Sequence, residues 1–237
     1  MNHRFTFSGA LWKQYHQGRI AVIPDLKCRS PREGDLLGGR HPLCIAETLV
    51  SAGAPVLSAV TEPKYFGGSL QLLNQVAKTL SVPILRKDFI VNVEQLRESV
   101  DCGASAVLLI AAMLEKRQLR ELVEAALRLG LEPLVEVHTP AEISKTNELP
   151  LTMLGINNRD ILQLEVDQGD ISTTEKLVRL VGHEALIISE SSVASALDIK
   201  RAGAAGAHAV LVGTALLKGD NPGQIYRELN AAGEIAL

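Results

Sequence analysis

The sequence has few aromatic residues and no excess of either charge. Its 237 residues include four Phe, three Tyr and one Trp, too few for a surface that stacks the bases of single-stranded nucleic acid. Lysine and arginine number 24, and aspartate and glutamate 27, which gives a formal net charge of −3. Because such a balance provides no basic surface for polyanions, we expect neither a nucleic-acid partner nor an anionic membrane partner.

Cysteines and long apolar segments are also scarce. Cys28, Cys44 and Cys102 are odd in number and lack CxxC spacing, so they predict neither a disulfide framework nor a zinc site. The longest clean apolar run, from Ala106 to Leu114, is shorter than the ~18 residues of a transmembrane helix. Residues 1–19 lack the apolar core of a signal peptide. These absences predict a soluble, cytoplasmic protein with no bound metal.

Short apolar runs recur along the chain, with helical segments between them. Most are continuous rather than alternating, as in AVLLIAA from Ala106, which is typical of parallel strands buried on both faces. Among the helices, one begins after Ser69, one begins at Pro140, and Glu115–Leu129 is amphipathic and ends at Gly130. The predicted strands are Ile20–Lys27, Pro55–Thr61, Val82–Phe89, Ala106–Ala112, Glu132–His138, Met153–Asn158, Leu186–Ser191 and Ala209–Gly213.

Eight strands alternating with helices over this length predict the α/β class and a single-domain (β/α)8 TIM barrel. The domain is expected to span residues 1–237, with 1–19 a short N-terminal segment before the first strand. A doubly wound open sheet is the competing fold, but its GxGxxG fingerprint is absent after the first strand. No linker or shift in composition divides the chain, so we expect one closed barrel.

Active sites of such barrels lie at the carboxyl ends of the strands, and seven of the eight predicted strands end in polar or charged residues. Lys87, Glu136 and Glu190 fall within otherwise apolar strands, where ionised groups are rarely buried without a partner. A lysine and a glutamate that converge in a mouth of low dielectric constant can serve as acid and base. Structural ion pairing is the alternative, and catalytic use is the interpretation we favour for Lys87 and Glu136.

The last two strands indicate a phosphate site. Ser191–Ser192 and Gly213–Thr214 are small residues that let a ligand approach backbone N–H groups, and barrels often bind phosphate after these strands. Ordinary turn and capping chemistry is the alternative interpretation. His138 follows Glu136 on the same strand, and we expect it to form hydrogen bonds at the rim rather than to bind a metal.

These rim motifs resemble the indole-3-glycerol-phosphate synthase family over about residues 20–229, as an N-terminally short member. The segments that carry the resemblance are IPDLKCRSPREG, VLSAVTEPKYFGGS, VPILRKDFIV, AVLLIAAML, LGLEPLVEVH, LGINNRD, SES and VLVGTALL. The resemblance implies a carbon–carbon lyase of tryptophan biosynthesis. Such an enzyme converts 1-(2-carboxyphenylamino)-1-deoxyribulose 5-phosphate into indole-3-glycerol phosphate, CO2 and water, without a metal or organic cofactor.

The resemblance also implies roles for individual residues. Lys87 is the general acid, Glu136 acts in the dehydration, and Lys27 meets the substrate carboxylate. The remaining catalytic residues are Asp25, Asn157 and Glu190, and Arg159 orients the substrate with Asn157. The phosphate cradle consists of Ser30, Ser191, Ser192, Gly213 and Thr214, and the apolar wall for the aromatic ring consists of Phe66, Phe89 and Leu108.

The sequence departs from the family pattern at a few positions. Asp25 stands where the family usually has glutamate, Cys28 where a basic residue is common, and Ser192 where the family turn has glycine. Only 19 residues precede the first predicted strand, fewer than the family normally has, so we expect Phe5, Phe7 and Trp12 to form a reduced lid over the mouth.

Two other functions stay open at this point. One is a related lyase or isomerase that acts on another phosphorylated substrate, and the other is a non-catalytic barrel that binds a phosphorylated metabolite. Retention of both the acid and the base argues against a binder, which needs neither. The oligomeric state cannot be predicted, because apolar surface patches cannot be located in a sequence.

Overall fold

The computed structural model describes residues 6–164, 169–182 and 184–234. The strands are β1 Ala21–Leu26, β2 Arg29–Ser30, β3 Gly34–Asp35, β4 Leu57–Val60, β5 Ile84–Lys87, β6 Ala106–Ile110, β7 Glu132–Val137, β8 Met153–Asn157, β9 Leu186–Glu190 and β10 Ala209–Val212. The helices are α1 Phe7–His16, α2 Pro42–Ser51, α3 Leu70–Thr79, α4 Val93–Asp101, α5 Lys116–Arg128, α6 Pro140–Thr146, α7 Ser172–Leu177, α8 Ala196–Ala205, α9 Thr214–Leu217 and α10 Pro222–Ala232.

Eight of the strands form a closed parallel barrel. Their order is β1-β10-β9-β8-β7-β6-β5-β4, and β4 pairs with β1 to close the ring. A helix follows each barrel strand and packs outside it, which confirms the predicted (β/α)8 fold. The barrel strands match the predicted runs but are shorter by one or more residues at one or both ends. The two-stranded antiparallel β2–β3 hairpin was not predicted, because two-residue strands leave no hydrophobic pattern.

The predicted helix boundaries are confirmed by their caps. The Ser69 hydroxyl accepts the Leu72 N–H at 3.1 Å at the start of α3. Pro140 is the first residue of α6 and follows the capping residue Thr139. After α5, Gly130 adopts a φ of 78°, the left-handed conformation that commonly ends a helix. Among the described residues, no helix is long and apolar enough to cross a membrane.

The barrel interior is filled by alternate residues of the strands. Because side chains two positions apart share a face, each strand contributes residues to successive layers of the interior. The apolar layers are fully or almost fully buried and comprise Ala21, Ile23, Val56, Leu85, Ala106, Leu108, Ile110, Leu134, Met153, Leu186, Ile188, Ala209 and Leu211.

Helix α1 closes the N-terminal end of this interior. Phe7 and Leu11, one turn apart, are completely buried against the apolar layers. The Ser8 backbone N–H donates to the side chain of Glu132, the first residue of β7, at 3.1 Å. The ring of Trp12 lies 4.7 Å from that of His208, which precedes β10. The helix is therefore anchored where the strands begin.

The prediction that Phe7 and Trp12 form a lid over the mouth is wrong, and Phe5 lies outside the described residues. The physical reason is that the apolar face of α1 packs against apolar rather than charged side chains. The apolar stripe of α1 finds apolar side chains at the N-terminal end of the barrel, whereas the mouth is lined by buried charges that would remain unpaired against it.

Candidate active site

The mouth of the barrel is the next inward-facing layer along the same strands. Asp25 follows Ile23 by two positions, Lys87 follows Leu85, Glu136 follows Leu134, and Glu190 follows Ile188. Because the strands of a closed barrel are staggered, these positions form a band around the interior: Asn157 pairs with Glu190, whereas Glu136 pairs with Gly155. The resulting layer of polar side chains is buried, with each residue at most 9% exposed: Asp25, Lys87, Glu136, Asn157 and Glu190.

Lys87 lies between two carboxylates in this layer. Its Nζ is 3.5 Å from Glu190 Oε2 and 4.0 Å from Asp25 Oδ2. The Ser58 hydroxyl of β4 donates to Asp25 Oδ1 at 2.6 Å and fixes that carboxylate. The two carboxylates therefore hold the buried ammonium group of Lys87 in one orientation. Lys87 is thus fixed within the mouth, where it lines the cavity.

Gly155 of β8 makes room for Glu190. A methyl group at this position would overlap the Glu190 carboxylate. Glycine inside a strand often marks such a close approach. The absence of a side chain at 155 therefore lets Glu190 lie within the barrel, where it reaches Lys87.

Glu136 is paired with a histidine rather than a lysine. Its Oε1 lies 3.3 Å from Nε2 of His138, and neither Glu136 oxygen has a hydrogen bond within the described part of the chain. The other ring nitrogen of His138 lies 3.1 Å from Glu142 Oε2 on α6. Burial by itself would lower the pKa of His138, but the carboxylates of Glu136 and Glu142 outweigh burial and raise the pKa to about 10.

An apolar wall faces these charges. Phe66, Phe89 and Leu108 line one cavity together with Lys87 and Glu136. The centroids of the two phenylalanine rings are 6.5 Å apart, and Lys27 Nζ lies 6.0 Å from the centroid of Phe66. The cavity thus combines an apolar face for a planar ring with cations at its edge.

A second cavity of about 300 Å³ opens beside the first, and Asp25, Lys27 and Lys87 line both. The predicted phosphate residues line its far side: Ser191, Ser192, Gly213 and Thr214. Its lining includes five basic side chains, Lys27, Arg32, Lys87, Arg159 and Lys218, against the acidic Asp25 and Glu33. This excess of positive charge suits an anionic group.

Local contacts shape the loops of this second cavity. Ser191 and Ser192 adopt φ values of 61° and 58°, a left-handed conformation that is uncommon for residues other than glycine. The Arg159 Nε–H donates to the Ser192 hydroxyl at 3.1 Å. Gly213 packs against Lys27, since a methyl group there would lie 3.2 Å from Lys27 Cε.

Three predicted residues line neither cavity: Ser30, Asn157 and Glu190. The Ser30 hydroxyl accepts the Arg32 N–H at 3.3 Å within its own turn and lines neither cavity. Asn157 faces a third cavity, with His138 and Glu142, and its Oδ1 accepts the Arg159 N–H at 3.0 Å. Glu190 lies behind Lys87, 3.5 Å from its Nζ, and the other predicted site residues line one or both cavities.

Four residues of the site were not predicted from the sequence: Ser58, Gly155, Arg32 and Lys218. Ser58 and Gly155 had a signal, since each interrupts an apolar strand at an inward position. Arg32 and Lys218 lie in loops, where charged residues are ordinary, and carried no signal. Among the described residues, no group of three or more His, Cys, Asp or Glu side chains is arranged to hold a metal ion.

Known proteins match this chain in sequence and in fold. The family model described as indole-3-glycerol phosphate synthase matches residues 2–229. An indole-3-glycerol phosphate synthase of Thermococcus kodakarensis is 45% identical over 209 residues, covering 88% of this chain and 91% of the relative. A protein of the same name from Kineococcus radiotolerans is 41% identical, over 92% of this chain and 78% of the relative.

The fold is also similar to that of a solved structure, 3-hexulose-6-phosphate synthase from Salmonella typhimurium. The TM-score is 0.72 over 90% of this chain and 98% of the other, at 16% identity. This likeness supports the barrel alone. Through the family model and the sequence relatives, the chain belongs to the indole-3-glycerol phosphate synthase family.

Proposed function

We propose that this chain closes the indole ring of 1-(2-carboxyphenylamino)-1-deoxyribulose 5-phosphate and releases indole-3-glycerol phosphate, CO2 and water. The observation that carries the proposal is the position of Lys87. Its ammonium group is held by Glu190 and Asp25, between an apolar wall and a cavity rich in basic side chains. A substrate with an aromatic ring at one end and a phosphate at the other fits this order of surfaces.

The chemistry requires an acid at the substrate carbonyl. The ring carbon that carries the carboxylate attacks the carbonyl carbon, and the carbonyl oxygen takes a proton. Lys87 is the donor for this step, since Glu190 and Asp25 hold its ammonium group in the cavity beside the apolar wall. Lys27, at the edge of the aromatic wall, meets the carboxylate before it leaves as CO2 and returns its electron pair to the ring.

The dehydration requires a base. The new hydroxyl group leaves as water with a second proton, and the carbon between the ring nitrogen and the former carbonyl loses one proton. Glu136, buried beside the wall, takes the proton from carbon. Two protons are taken up and one is released, so the reaction consumes one proton per turnover, in balance with the carboxylate that leaves as neutral CO2.

The remaining predicted residues position the substrate. Ser191, Ser192, Gly213 and Thr214 contact the phosphate, with Ser30 shaping the neighbouring turn. Arg159, held by Asn157 and Ser192, orients the sugar chain, and Glu190 and Asp25 hold Lys87. Phe66, Phe89 and Leu108 contact the aromatic ring and exclude water from the condensation. We assign the reaction no metal or organic cofactor. A cytoplasmic location stays a prediction from the sequence.

The test is incubation of the purified chain with this substrate, followed by indole fluorescence. We expect fluorescent product from the wild type and none above background from Lys87→Ala. Tight binding of the substrate without turnover by the wild type would contradict the proposal and favour a binding protein. Neither binding nor turnover would show that the substrate is a different one.

A further inference from the structure

We infer that His138 and Glu142 are positioning residues, which hold the Glu136 carboxylate in place and directed into the mouth. The inference rests on the proposed function, because it concerns the base of that reaction. It adds to the proposed mechanism two residues that face a different cavity from the one that holds Lys87.

The three side chains form a continuous row. His138 directly follows β7, two positions after Glu136, and Glu136 Oε1 lies 3.3 Å from His138 Nε2. The ring of His138 reaches Glu142 through Nδ1 at 3.1 Å. Glu142 is fixed in turn, because its carboxylate accepts the His138 backbone N–H at 2.8 Å and the Thr139 hydroxyl at 3.0 Å. The row runs from the cavity that holds Lys87 to the third cavity, which Asn157 faces.

The contacts of Glu142 show that the imidazole ring of His138 is not needed to anchor α6. The backbone N–H of His138 and the Thr139 hydroxyl already anchor the start of α6, without any imidazole ring. Anchoring the helix therefore does not require the ring to lie between two carboxylates. The ring instead places a positive charge beside Glu136, whose side chain is completely buried.

Other charged groups also face Glu136 across the mouth. Several belong to strands or loops that line the same cavity, and Glu190 lies behind Lys87: Asp25, Lys27, Glu62, Lys87, Asp88 and Glu190. Two of these, Asp25 and Glu190, already form ion pairs with Lys87. His138 is thus the cation paired with Glu136 at the shortest distance given by the structure.

Removal of the imidazole ring has a defined consequence. A buried carboxylate without a cation beside it takes up a proton more readily than one that is paired. In His138→Gln the Glu136 carboxylate loses the cation beside it, so the acidic limb of the pH profile of kcat should move to higher pH. In Glu142→Gln the ring remains but loses one of its two carboxylate partners, so the effect is in the same direction and smaller.

The experiment is the pH dependence of kcat for indole formation, measured from pH 5.5 to 10 in the wild type, His138→Gln and Glu142→Gln. We expect the acidic limb to move upward by at least about one pH unit in His138→Gln, which lowers kcat about tenfold on that limb. The limb of Glu142→Gln should move upward by less. His208→Gln is the matched control, since His208 is a half-buried histidine at the opposite end of the barrel, and its limb should not move.

The outcomes distinguish this inference from the proposed function. No indole from the wild type would contradict the proposed function itself. Indole from the wild type with acidic limbs that coincide in all variants would overturn the inference alone, even where kcat is lower. If His138→Gln does not fold, the limb of Glu142→Gln decides between the two results.

Discussion

The two ends of the barrel interior are built from the same strands but have opposite characters. At the N-terminal end, Phe7 and Leu11 of α1 complete an apolar core. At the other end, two positions beyond the last apolar layer of the strands, the mouth holds buried carboxylates, a lysine and an asparagine. Separation of this kind lets one end stabilise the fold while the other carries unfavourable charges for chemistry.

The largest expected effect comes from removal of the acid at the mouth. Lys87→Met should lower kcat by about 10²- to 10⁴-fold, the usual contribution of a general acid. Indole fluorescence measures the loss, and circular dichroism checks that the variant is folded. Lys78→Met, an exposed lysine on α3, is the matched control and should retain wild-type activity.

The complementary change is made at the other end. Phe7→Ala should lower the free energy of unfolding by about 3–5 kcal/mol, because it leaves a cavity in a completely buried cluster. Denaturant unfolding measures this loss. The folded variant should keep its kcat, since Phe7 is separated from the mouth by the apolar layers of the interior. A large fall in kcat with unchanged stability would contradict the assignment of Phe7 to a purely stabilising end of the barrel.

Crowding the mouth should damage activity through Glu190. Gly155→Ala places a methyl group against the Glu190 carboxylate and should displace it from Lys87. We expect kcat to fall by about 10²-fold, as small displacements of catalytic groups do. Gly182→Ala is the control, because no atom of the described residues beyond its chain neighbours lies within 4 Å of a methyl group there. Equal kcat values for the two variants would show that Glu190 does not hold Lys87.

Stability at alkaline pH should depend on His138. Its pKa is about 10 in the folded chain, above the ordinary 6.5, so the stabilisation is complete below pH 6.5 and is lost as the pH rises through 10. The loss should be about 1.5–3 kcal/mol, the range for a hydrogen bond to a charged group. Unfolding free energies at pH 7 and 10 measure it. His138→Gln should lack this pH dependence, and parallel curves for the two proteins would contradict the assignment.

The smallest effect is expected at the phosphate side of the mouth. Ser192→Ala removes the hydroxyl that accepts from Arg159 and should raise KM by about 2- to 12-fold, corresponding to one hydrogen bond. The value of kcat should stay near that of the wild type, because Arg159 binds rather than reacts. Steady-state kinetics at saturating substrate separate the two parameters. A fall in kcat alone would assign Ser192 a different role.

Much of the barrel could be predicted because buried parallel strands are continuous apolar runs. The inward direction of Lys87, Glu136 and Glu190 followed from the same pattern, since a charged residue in such a run needs a reason. The position of α1 could not be predicted. Its apolar stripe is visible in the sequence, but both ends of a barrel are open, and only the packed side chains distinguish them.

Contacts between neighbouring strands were the other limit. That Ser58 holds Asp25, or that Gly155 makes room for Glu190, depends on the register of adjacent strands, which a single sequence does not encode locally. The Glu136–His138–Glu142 row depends additionally on where α6 begins. His138 was correctly expected to form rim contacts, but its partner on α6 was not foreseen.

The most direct test of the account is the kcat of Phe7→Ala and Lys87→Met for indole formation, measured at a temperature at which both variants are folded. We expect a value near that of the wild type for Phe7→Ala and a loss of about 10²- to 10⁴-fold for Lys87→Met. Comparable losses in the two variants, or wild-type turnover by Lys87→Met, would contradict the division of the barrel into a stabilising end and a catalytic end.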